Sequence, residues 1–304
     1  MARDYVIKGT STTLRLALVS CANAAEAARL AWRVTSPQAT ALLSKGLASA
    51  SLLASFLKGE ERVQLHWLCA SAQAGAAVSE VYAEAMPIGE VRGYIRGSGL
   101  EAGAGAWDGR LPTAGGDGAF TVSRVLYGAR TQHRSTVALA KGDIESELLH
   151  YYAQSEQRAA QVRLDAAVDG TGRVTQCTGM LLEALSQEGG LPSSGQAEPE
   201  GSSFEALAAR LGGSASPWPP GATAPQAAAA IAPALQWGKR VPLDFFCRCS
   251  LVGFRDKLVG SCSQELLRQM VDEATGGVAA TLVCSFCNRS HEVMSKDLQQ
   301  ALAV

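Results

Sequence analysis

Four cysteines near the C-terminus are the residues whose type and spacing most clearly point to chemistry. Cys247 and Cys249 form a CxC pair, Cys284 and Cys287 form a CxxC pair, and 34 residues separate the two pairs. Two close pairs of thiolates can converge on one tetrahedral ion, for which zinc is the usual occupant. Thiolates are also the atoms that oxidants attack. The spacing therefore predicts a zinc site and leaves open whether the metal is purely structural or part of a redox switch.

Two other side chains compete with these four as metal ligands. His291 lies four residues after Cys287, and Cys262 lies between the two pairs. We favour the four paired cysteines because they make two short chelating pairs without an unpaired ligand. Cys262 and His291 stay alternative ligands.

The distribution of the cysteines along the chain indicates the cellular compartment of the protein. Four of the eight cluster and the others are scattered, which fits a reducing compartment with a metal site better than a disulfide framework. Cys21, Cys69 and Cys177 are therefore predicted to be small buried hydrophobic residues. The start of the chain has no apolar core of a secretory signal, and no run of eighteen apolar residues predicts a membrane span. We expect a cytoplasmic protein, with an organelle lumen as the alternative.

Composition and charge narrow the functional classes. The 304 residues are 47% hydrophobic and 18% charged, which is typical of a globular chain with room for one large and one small domain. A net charge of -1 supplies no basic face for nucleic acid as the main partner. The histidines lack a nearby acid and nucleophile pattern, and four thiolates leave zinc no open position for water. We therefore expect a protein that is not an enzyme.

Composition divides the chain into three parts. Residues 1–187 hold strands and helices without steady βαβ alternation, which predicts an α+β core domain of mixed sheets and helices. Residues 188–238 are rich in Gly, Pro, Ser and Ala, which predicts a flexible or metastable linker with two apolar helical pieces. Residues 239–304 hold the four cysteines and can bury little core, which predicts a small domain stabilised by its metal.

Periodicity within these parts predicts individual elements. Residues 5–20 alternate as a strand, and Ser36-Pro37 begins a Leu-rich helix that continues to Lys58. Residues 173–187 predict the end of a strand followed by a helix around Met180–Leu185.

Composition alone favours a disordered spacer for the linker. The functional alternative is a segment that folds or melts conditionally. In that interpretation it would expose apolar side chains for client proteins, namely Phe204, Leu207, Leu211, Ile231, Leu235 and Trp237.

The cysteine motifs resemble those of the heat shock protein 33 family, which are redox-regulated holdase chaperones. These motifs are Phe246-Cys247-Arg248-Cys249-Ser250 and Cys284-Ser285-Phe286-Cys287. Further motifs follow upstream in the family's order: Ser36-Pro37 with Ala39-Thr40, Val91-Arg92-Gly93-Tyr94, Lys141-Gly142-Asp143-Ile144-Glu145, Tyr151-Tyr152 and Ser155-Glu156-Gln157. The resemblance covers most of residues 5–187 and 240–302, while the linker and the gap between the cysteine pairs are longer than is usual in the family.

The resemblance implies a mechanism. In the reduced state Cys247, Cys249, Cys284 and Cys287 bind one Zn²⁺, and the chaperone is idle. Oxidation pairs Cys247 with Cys249 and Cys284 with Cys287, zinc leaves, and the small domain and the linker lose their fold. The exposed apolar surface then holds unfolding client proteins without ATP. Family members are monomers when reduced and tend to form homodimers when active.

Other classes stay open beside this resemblance. A zinc-ribbon nucleic-acid-binding module needs a basic surface around the cysteines, whereas acidic side chains offset the basic ones here. A thiol-disulfide oxidoreductase would use Cys284 and Cys287 alone, but the CxC pair favours a metal. A purely structural zinc domain is the simplest alternative.

Overall fold

The computed structural model describes residues 3–69, 77–103, 107–113, 118–126, 132–185, 203–213, 218–219 and 221–302. The chain divides into an N-terminal unit, Met1–Phe245, and a C-terminal unit, Phe246–Val304. Both units mix helices and strands, which confirms the predicted α+β class. The C-terminal unit begins seven residues after the domain start predicted at residue 239. No helix within the described ranges is long and apolar enough to cross a membrane.

The N-terminal unit contains twelve strands and five α-helices among its described residues. The strands are β1 (Tyr5–Thr10), β2 (Leu14–Ser20), β3 (Arg62–Leu68), β4 (Glu80–Ala85), β5 (Glu90–Arg96), β6 (Ala119–Val125), β7 (His133–Ala138), β8 (Ala160–Val168), β9 (Val174–Ala184), β10 (Gln236–Trp237), β11 (Val241–Pro242) and β12 (Asp244–Phe245). The helices are α1 (Ala22–Trp32), α2 (Pro37–Ala54), α3 (Ile144–Tyr151), which continues as a π-helical turn over Tyr152–Glu156, α4 (Phe204–Leu211) and α5 (Ala224–Ile231).

These strands form two sheets. The first sheet has the order β10-β1-β2-β9-β8, with β11 also paired to β1, and the second has the order β12-β5-β4-β3-β6-β7. All pairs are antiparallel except that of β12 with β5.

Helix α2 joins the two sheets into one core. The hydroxyl of Ser36 accepts a hydrogen bond from the Ala39 N–H and Pro37 occupies the first turn, so the predicted start of this helix is confirmed. Fourteen of its 18 residues are buried. A helix with little exposed surface on any side must be packed all round, and α2 contacts strands of both sheets. It ends at Ala54, four residues before the predicted end at Lys58.

The predicted helix around Met180–Leu185 is wrong, because these residues belong to the long strand β9 and the residue after it. Strand β9 lies between β2 and β8. Leu181 packs in the core around α2, whereas Met180 and Leu182 pack in a cluster on the opposite face. A strand that is buried on both faces is a continuous apolar run, which periodicity does not distinguish from a buried helix.

The outer faces of the two sheets differ in chemistry. On the second sheet, Glu84 accepts hydrogen bonds from Arg92 (2.6 Å) and Gln64 (2.7 Å), and Glu80 lies 2.9 Å from His66. On the first sheet, Leu14, Leu16 and Leu18 lie in an apolar cluster with α4 and α5. The polar face needs no cover, whereas the leucine face must be shielded from water.

The described residues between 203 and 238, here called the covering segment, provide this shield. Its helices bury Leu207, Leu211 and Ile231 against the sheet, and its strand β10 pairs with β1. The segment predicted as a linker is therefore part of the N-terminal unit where it is described. Residues 188–202, 214–217 and 220 of that prediction lie outside the described residues.

The C-terminal unit has a much smaller core. It contains α6 (Leu251–Ser261), α7 (Gln264–Glu273), β13 (Val278–Val283), β14 (Ser290–Met294) and α8 (Ser295–Leu302), and β13 and β14 form a two-stranded sheet. Its buried cluster consists of Leu267, Val271, Val293 and Leu298. Four buried apolar side chains are a weak core for an independent domain, so another source of stability is expected.

Gly9 offers a test of how the covering segment packs against the first sheet. A Cβ at this position would lie 2.9 Å from Cδ2 of Trp237 and 3.1 Å from Cβ of Leu235. We expect Gly9→Ala to cost about 1–3 kcal/mol locally and to speed amide hydrogen exchange in residues 224–237, because the Trp237 ring must move. Gly170→Ala is the control, since no atom lies within 4 Å of its Cβ. Equal exchange in the two variants would contradict this packing.

A buried carboxyl group at the start of α1 gives the N-terminal unit an unusual pH dependence. The Asp4 carboxylate accepts hydrogen bonds from the Ala24 N–H (2.8 Å) and from Nδ2 of Asn23 (3.0 Å). Burial raises the pKa of Asp4 to about 6, although these hydrogen bonds oppose the shift. Because the pKa is higher in the folded state, the contribution of Asp4 to stability is complete below about pH 4 and is lost as the pH rises through 6.

The pH dependence is tested with Asp4→Asn, whose side chain stays neutral. From pH 7.5 to pH 4, the free energy of unfolding of the wild type should rise relative to that of the variant by about 2–3 kcal/mol. Tryptophan fluorescence during urea unfolding measures this difference, since all five tryptophans lie in the N-terminal unit. A difference between the two proteins that is constant with pH would show that Asp4 titrates normally.

Candidate metal centre

The first cysteine pair lies on the chain that leads into α6. Cys247 follows the end of the N-terminal unit by two residues, and Cys249 directly precedes Ser250. The Ser250 hydroxyl accepts a hydrogen bond from the Gly253 N–H (3.1 Å) and caps α6. The cap fixes where the helix begins, and therefore where the sulfur of Cys249 lies.

The second pair lies on the tight turn between β13 and β14. The Cys284 N–H donates to the Arg289 carbonyl (2.9 Å), and the Asn288 N–H donates to the Cys284 carbonyl (2.9 Å). Asn288 has a φ of 54°, a left-handed conformation that Asn tolerates better than most residues. The Phe286 N–H points at the Cys284 sulfur (3.4 Å). The turn thus presents the CxxC pair as a knuckle.

The structure brings the four predicted cysteines together. Their sulfur atoms all lie within 4.8 Å of one another, with 3.5 Å between Cys247 and Cys284 and 3.4 Å between Cys249 and Cys287. A zinc ion with Zn–S bonds of about 2.3 Å in tetrahedral geometry places its sulfurs about 3.8 Å apart. The donor set and its spacing therefore fit one tetrahedral, thiophilic ion.

The two alternative ligands are placed differently. Nε2 of His291 lies 3.2 Å from the sulfur of Cys249, and its ring lies 4.8 Å from the ring of Phe254. Among the described residues, the group of mutually close ligand atoms contains the four cysteines without His291. Cys262 is the C-cap residue after α6 and packs against the small apolar core. His291 is thus a neighbour of one ligand, and Cys262 belongs to the packing.

The surroundings affect the thiols unequally. Burial raises the pKa of Cys247 and of Cys249, and neighbouring thiols add to the rise. Burial also acts on Cys284, but the N–H groups of Cys287 and Phe286 oppose it and leave the pKa of Cys284 below its ordinary value. A bound cation would favour the thiolate form of all four residues.

The six apolar residues predicted to bind clients lie together in the covering segment. Leu207, Leu211, Ile231 and Leu235 are buried in the cluster on the first sheet, and Phe204 and Trp237 pack against it partly exposed. In this state the six side chains therefore offer little surface to another protein.

The other cysteines confirm one prediction and add a feature that the sequence did not reveal. Cys21, Cys69 and Cys177 are buried, as expected. The sulfurs of Cys21 and Cys177, however, lie 3.0 Å apart. These residues are far apart in sequence, and only knowledge that β2 pairs with β9 would have brought them together.

Comparisons with known proteins agree with this architecture. A family model described as Hsp33 protein matches residues 4–294. The 33 kDa chaperonin of Picosynechococcus sp. is 28% identical over 308 residues, covering 94% of this chain and 92% of that protein. The 33 kDa chaperonin of Desulforamulus reducens is 26% identical over 309 residues, covering 99% and 97% respectively.

A solved structure shows the same fold. The crystal structure of the 33 kDa chaperonin (heat shock protein 33 homolog) from Thermotoga maritima matches with a TM-score of 0.78 at 20% identity, covering 99% of this chain and 98% of that chain. The family model spans nearly all of the described residues, including the four cysteines. This chain belongs to the Hsp33 family.

Proposed function

We propose that this protein is a redox-regulated, ATP-independent chaperone, a holdase that binds unfolding proteins and prevents their aggregation under oxidative stress. Membership of a family whose relatives are named chaperonins supports the chaperone role. The observation that carries the redox part is the convergence of four cysteine sulfurs within 4.8 Å in a unit with a very small core. The protein is not an enzyme in this proposal.

The resting state holds one Zn²⁺ per chain on Cys247, Cys249, Cys284 and Cys287. Zinc binding contributes roughly 10–16 kcal/mol to small domains of this kind. That amount exceeds the whole stability of many folded domains, and the four buried apolar residues of the C-terminal unit supply little themselves. Loss of the metal would therefore unfold the unit.

Oxidation of the thiolates is the trigger. Each disulfide would form as two thiolates give up two electrons to peroxide, which takes two protons from the solvent and becomes two waters. We propose the pairs Cys247–Cys249 and Cys284–Cys287 from the family resemblance. The Cys247 and Cys284 sulfurs lie 3.5 Å apart and the Cys249 and Cys287 sulfurs lie 3.4 Å apart, so pairs between the two motifs are also within reach and peptide mapping must decide the pairing.

The short connection between the units supports a route by which the signal spreads. Only Phe246 separates the end of β12 from Cys247 in the sequence. Strand β10 of the covering segment and the strands β11 and β12 that follow it contain two residues each, so few hydrogen bonds hold this stretch of the chain. Unfolding of the C-terminal unit would then loosen the covering segment.

Release of the covering segment would create the client-binding surface. It exposes the segment's own apolar residues, Phe204, Leu207, Leu211, Ile231, Leu235 and Trp237, and it uncovers Leu14, Leu16 and Leu18 on the sheet. We propose that the active form is a homodimer and the reduced form a monomer, and that the protein works in the cytoplasm. Both statements follow the family resemblance.

The central experiment compares the reduced zinc protein with protein treated with peroxide at raised temperature. We expect one zinc per chain to be released, four thiols to be lost from the cluster, and aggregation of an unfolding client to be suppressed only after oxidation. Light scattering of the client, a zinc-sensitive dye and thiol counting measure these quantities. Equal suppression by the reduced zinc form would refute the switch.

The ligand assignment is tested by Cys247→Ser. Loss of one thiolate should lower zinc affinity at least tenfold and leave the variant partly active without oxidant, because the C-terminal unit loses its main source of stability. Cys262→Ser is the matched control and should keep zinc and stay idle. A Cys247→Ser protein that binds zinc as tightly as the wild type would show that another residue, such as His291, completes the site.

A further inference from the structure

A second pair of thiols lies inside the N-terminal unit. Cys21 and Cys177 are buried, and their sulfur atoms are 3.0 Å apart. A disulfide bond requires about 2.05 Å, so the two sulfurs need to approach by about 1 Å. Cys69, in the same unit, is buried as well but is not part of a thiol pair among the described residues.

The backbone around this pair is already within reach of a disulfide. Strands β2 and β9 are antiparallel, with Ser20 opposite Thr178, and the ladder continues as the Cys21 N–H donates to the Cys177 carbonyl (2.9 Å). Residues directly opposite in an antiparallel pair have Cα atoms about 4.5–5.5 Å apart. Disulfides span Cα distances of about 4.4–6.8 Å. The bond therefore needs side-chain rotation and no strand movement.

The thiol of Cys21 has no other task that a disulfide would disturb. Cys21 stands at the N-cap position of α1 but its side chain does not cap the helix. The carboxylate of Asp4 accepts the hydrogen bond from the Ala24 N–H instead. Cys177 donates a weak hydrogen bond to the Ser44 carbonyl (3.4 Å), which the disulfide would remove.

We propose that Cys21 and Cys177 are an oxidisable pair, and that peroxide converts them to a disulfide that staples the start of α1 to β9. One of the two cysteines, as its thiolate, attacks an oxygen of the peroxide and breaks the O–O bond, giving a sulfenic acid and water. The second thiol then attacks the sulfenic sulfur, the S–O bond breaks, and another water leaves. Two protons and two electrons pass from the thiols to peroxide, and one S–S bond forms.

The pair should react more slowly than the cysteines of the C-terminal unit. Both thiols are buried, and the contact with Cys177 together with burial raises the pKa of Cys21. Peroxide therefore reaches a reactive thiolate only when β2, α1 or β9 opens locally. Heat increases such opening, so the bond should form under combined heat and oxidant.

The Cys21–Cys177 disulfide would stabilise the N-terminal unit, whereas oxidation of the metal site would destabilise the C-terminal unit. The loop that this disulfide closes contains α1, α2, the strands β3–β7, α3 and β8. A crosslink across so long a loop restricts the unfolded chain strongly and favours the folded state. The N-terminal unit would thus become harder to unfold under the conditions that unfold the C-terminal unit. This inference stands on Cys21 and Cys177 alone and needs neither zinc nor client binding.

The test uses the full-length protein treated with hydrogen peroxide at raised temperature, then alkylated and digested without reduction. We expect mass spectrometry to find the Cys21 peptide joined to the Cys177 peptide. We also expect oxidation to raise the Tm of the N-terminal unit, followed by tryptophan fluorescence, by roughly 5–15 °C. The rise should be reversed by a dithiol reductant.

Matched variants distinguish the effect of the Cys21–Cys177 disulfide from the effects of oxidation at other residues. Each is compared with its own reduced form: Cys177→Ala and Cys21→Ala should lose the rise in Tm, and Cys69→Ala should keep it. Recovery of Cys21 and Cys177 as alkylated thiols or as sulfinic acids would overturn the proposal, as would an unchanged rise in Cys177→Ala. If either variant fails to fold, the peptide map of the wild type decides alone. Failure to release zinc or to hold a client would refute the proposed function and leave the staple standing.

Discussion

Leu14, Leu16 and Leu18 give the first sheet an apolar outer face, and this face must be kept from water. The covering segment does so with two short amphipathic helices and a two-residue strand. The helices are eight residues each, too short to be stable alone, so they are folded only because the sheet is beneath them. The cover and the sheet face therefore depend on each other.

The two units gain their stability from different sources. The N-terminal unit encloses α2 between two sheets and buries a large continuous core. The C-terminal unit buries four apolar residues and places four sulfurs at the spacing of a tetrahedral ion. A large core responds weakly to any single chemical change, whereas a domain that depends on one metal responds to whatever removes the metal. This difference suits the small unit to the role of sensor in the proposed mechanism.

In the proposed mechanism, covalent continuity connects the C-terminal unit to the covering segment. The chain passes from the last strand of the N-terminal unit to the first cysteine through a single residue. The cover pairs with β1 through the two residues of β10, and the chain after it pairs through two residues each with β1 and with β5. The polar outer face of the second sheet, where Glu84 and Glu80 are neutralised by basic neighbours, needs no such cover. The apolar surface that the proposed mechanism would reveal is thus confined to one side of the unit.

The sequence alone was sufficient for the features that depend on local spacing. The CxC and CxxC pairs identified the four sulfurs that converge, and Ser36-Pro37 identified the start of α2. The apolar pieces of the linker were recognised as helices because their periodicity is local. The class of the fold also followed from the order of strands and helices.

Features that depend on distant partners were decided only by the tertiary structure. The sequence predicts a helix over Met180–Leu185 because burial on both faces of β9 removes the alternation that identifies a strand. Composition predicts a linker over residues 188–238, whereas the place of its described part on the leucine face depends on the pairing of β10 with β1. Cys21 and Cys177 became a pair only through the register of β2 and β9. Sequence spacing carries local geometry, whereas contacts between remote strands arise from packing and leave no local pattern.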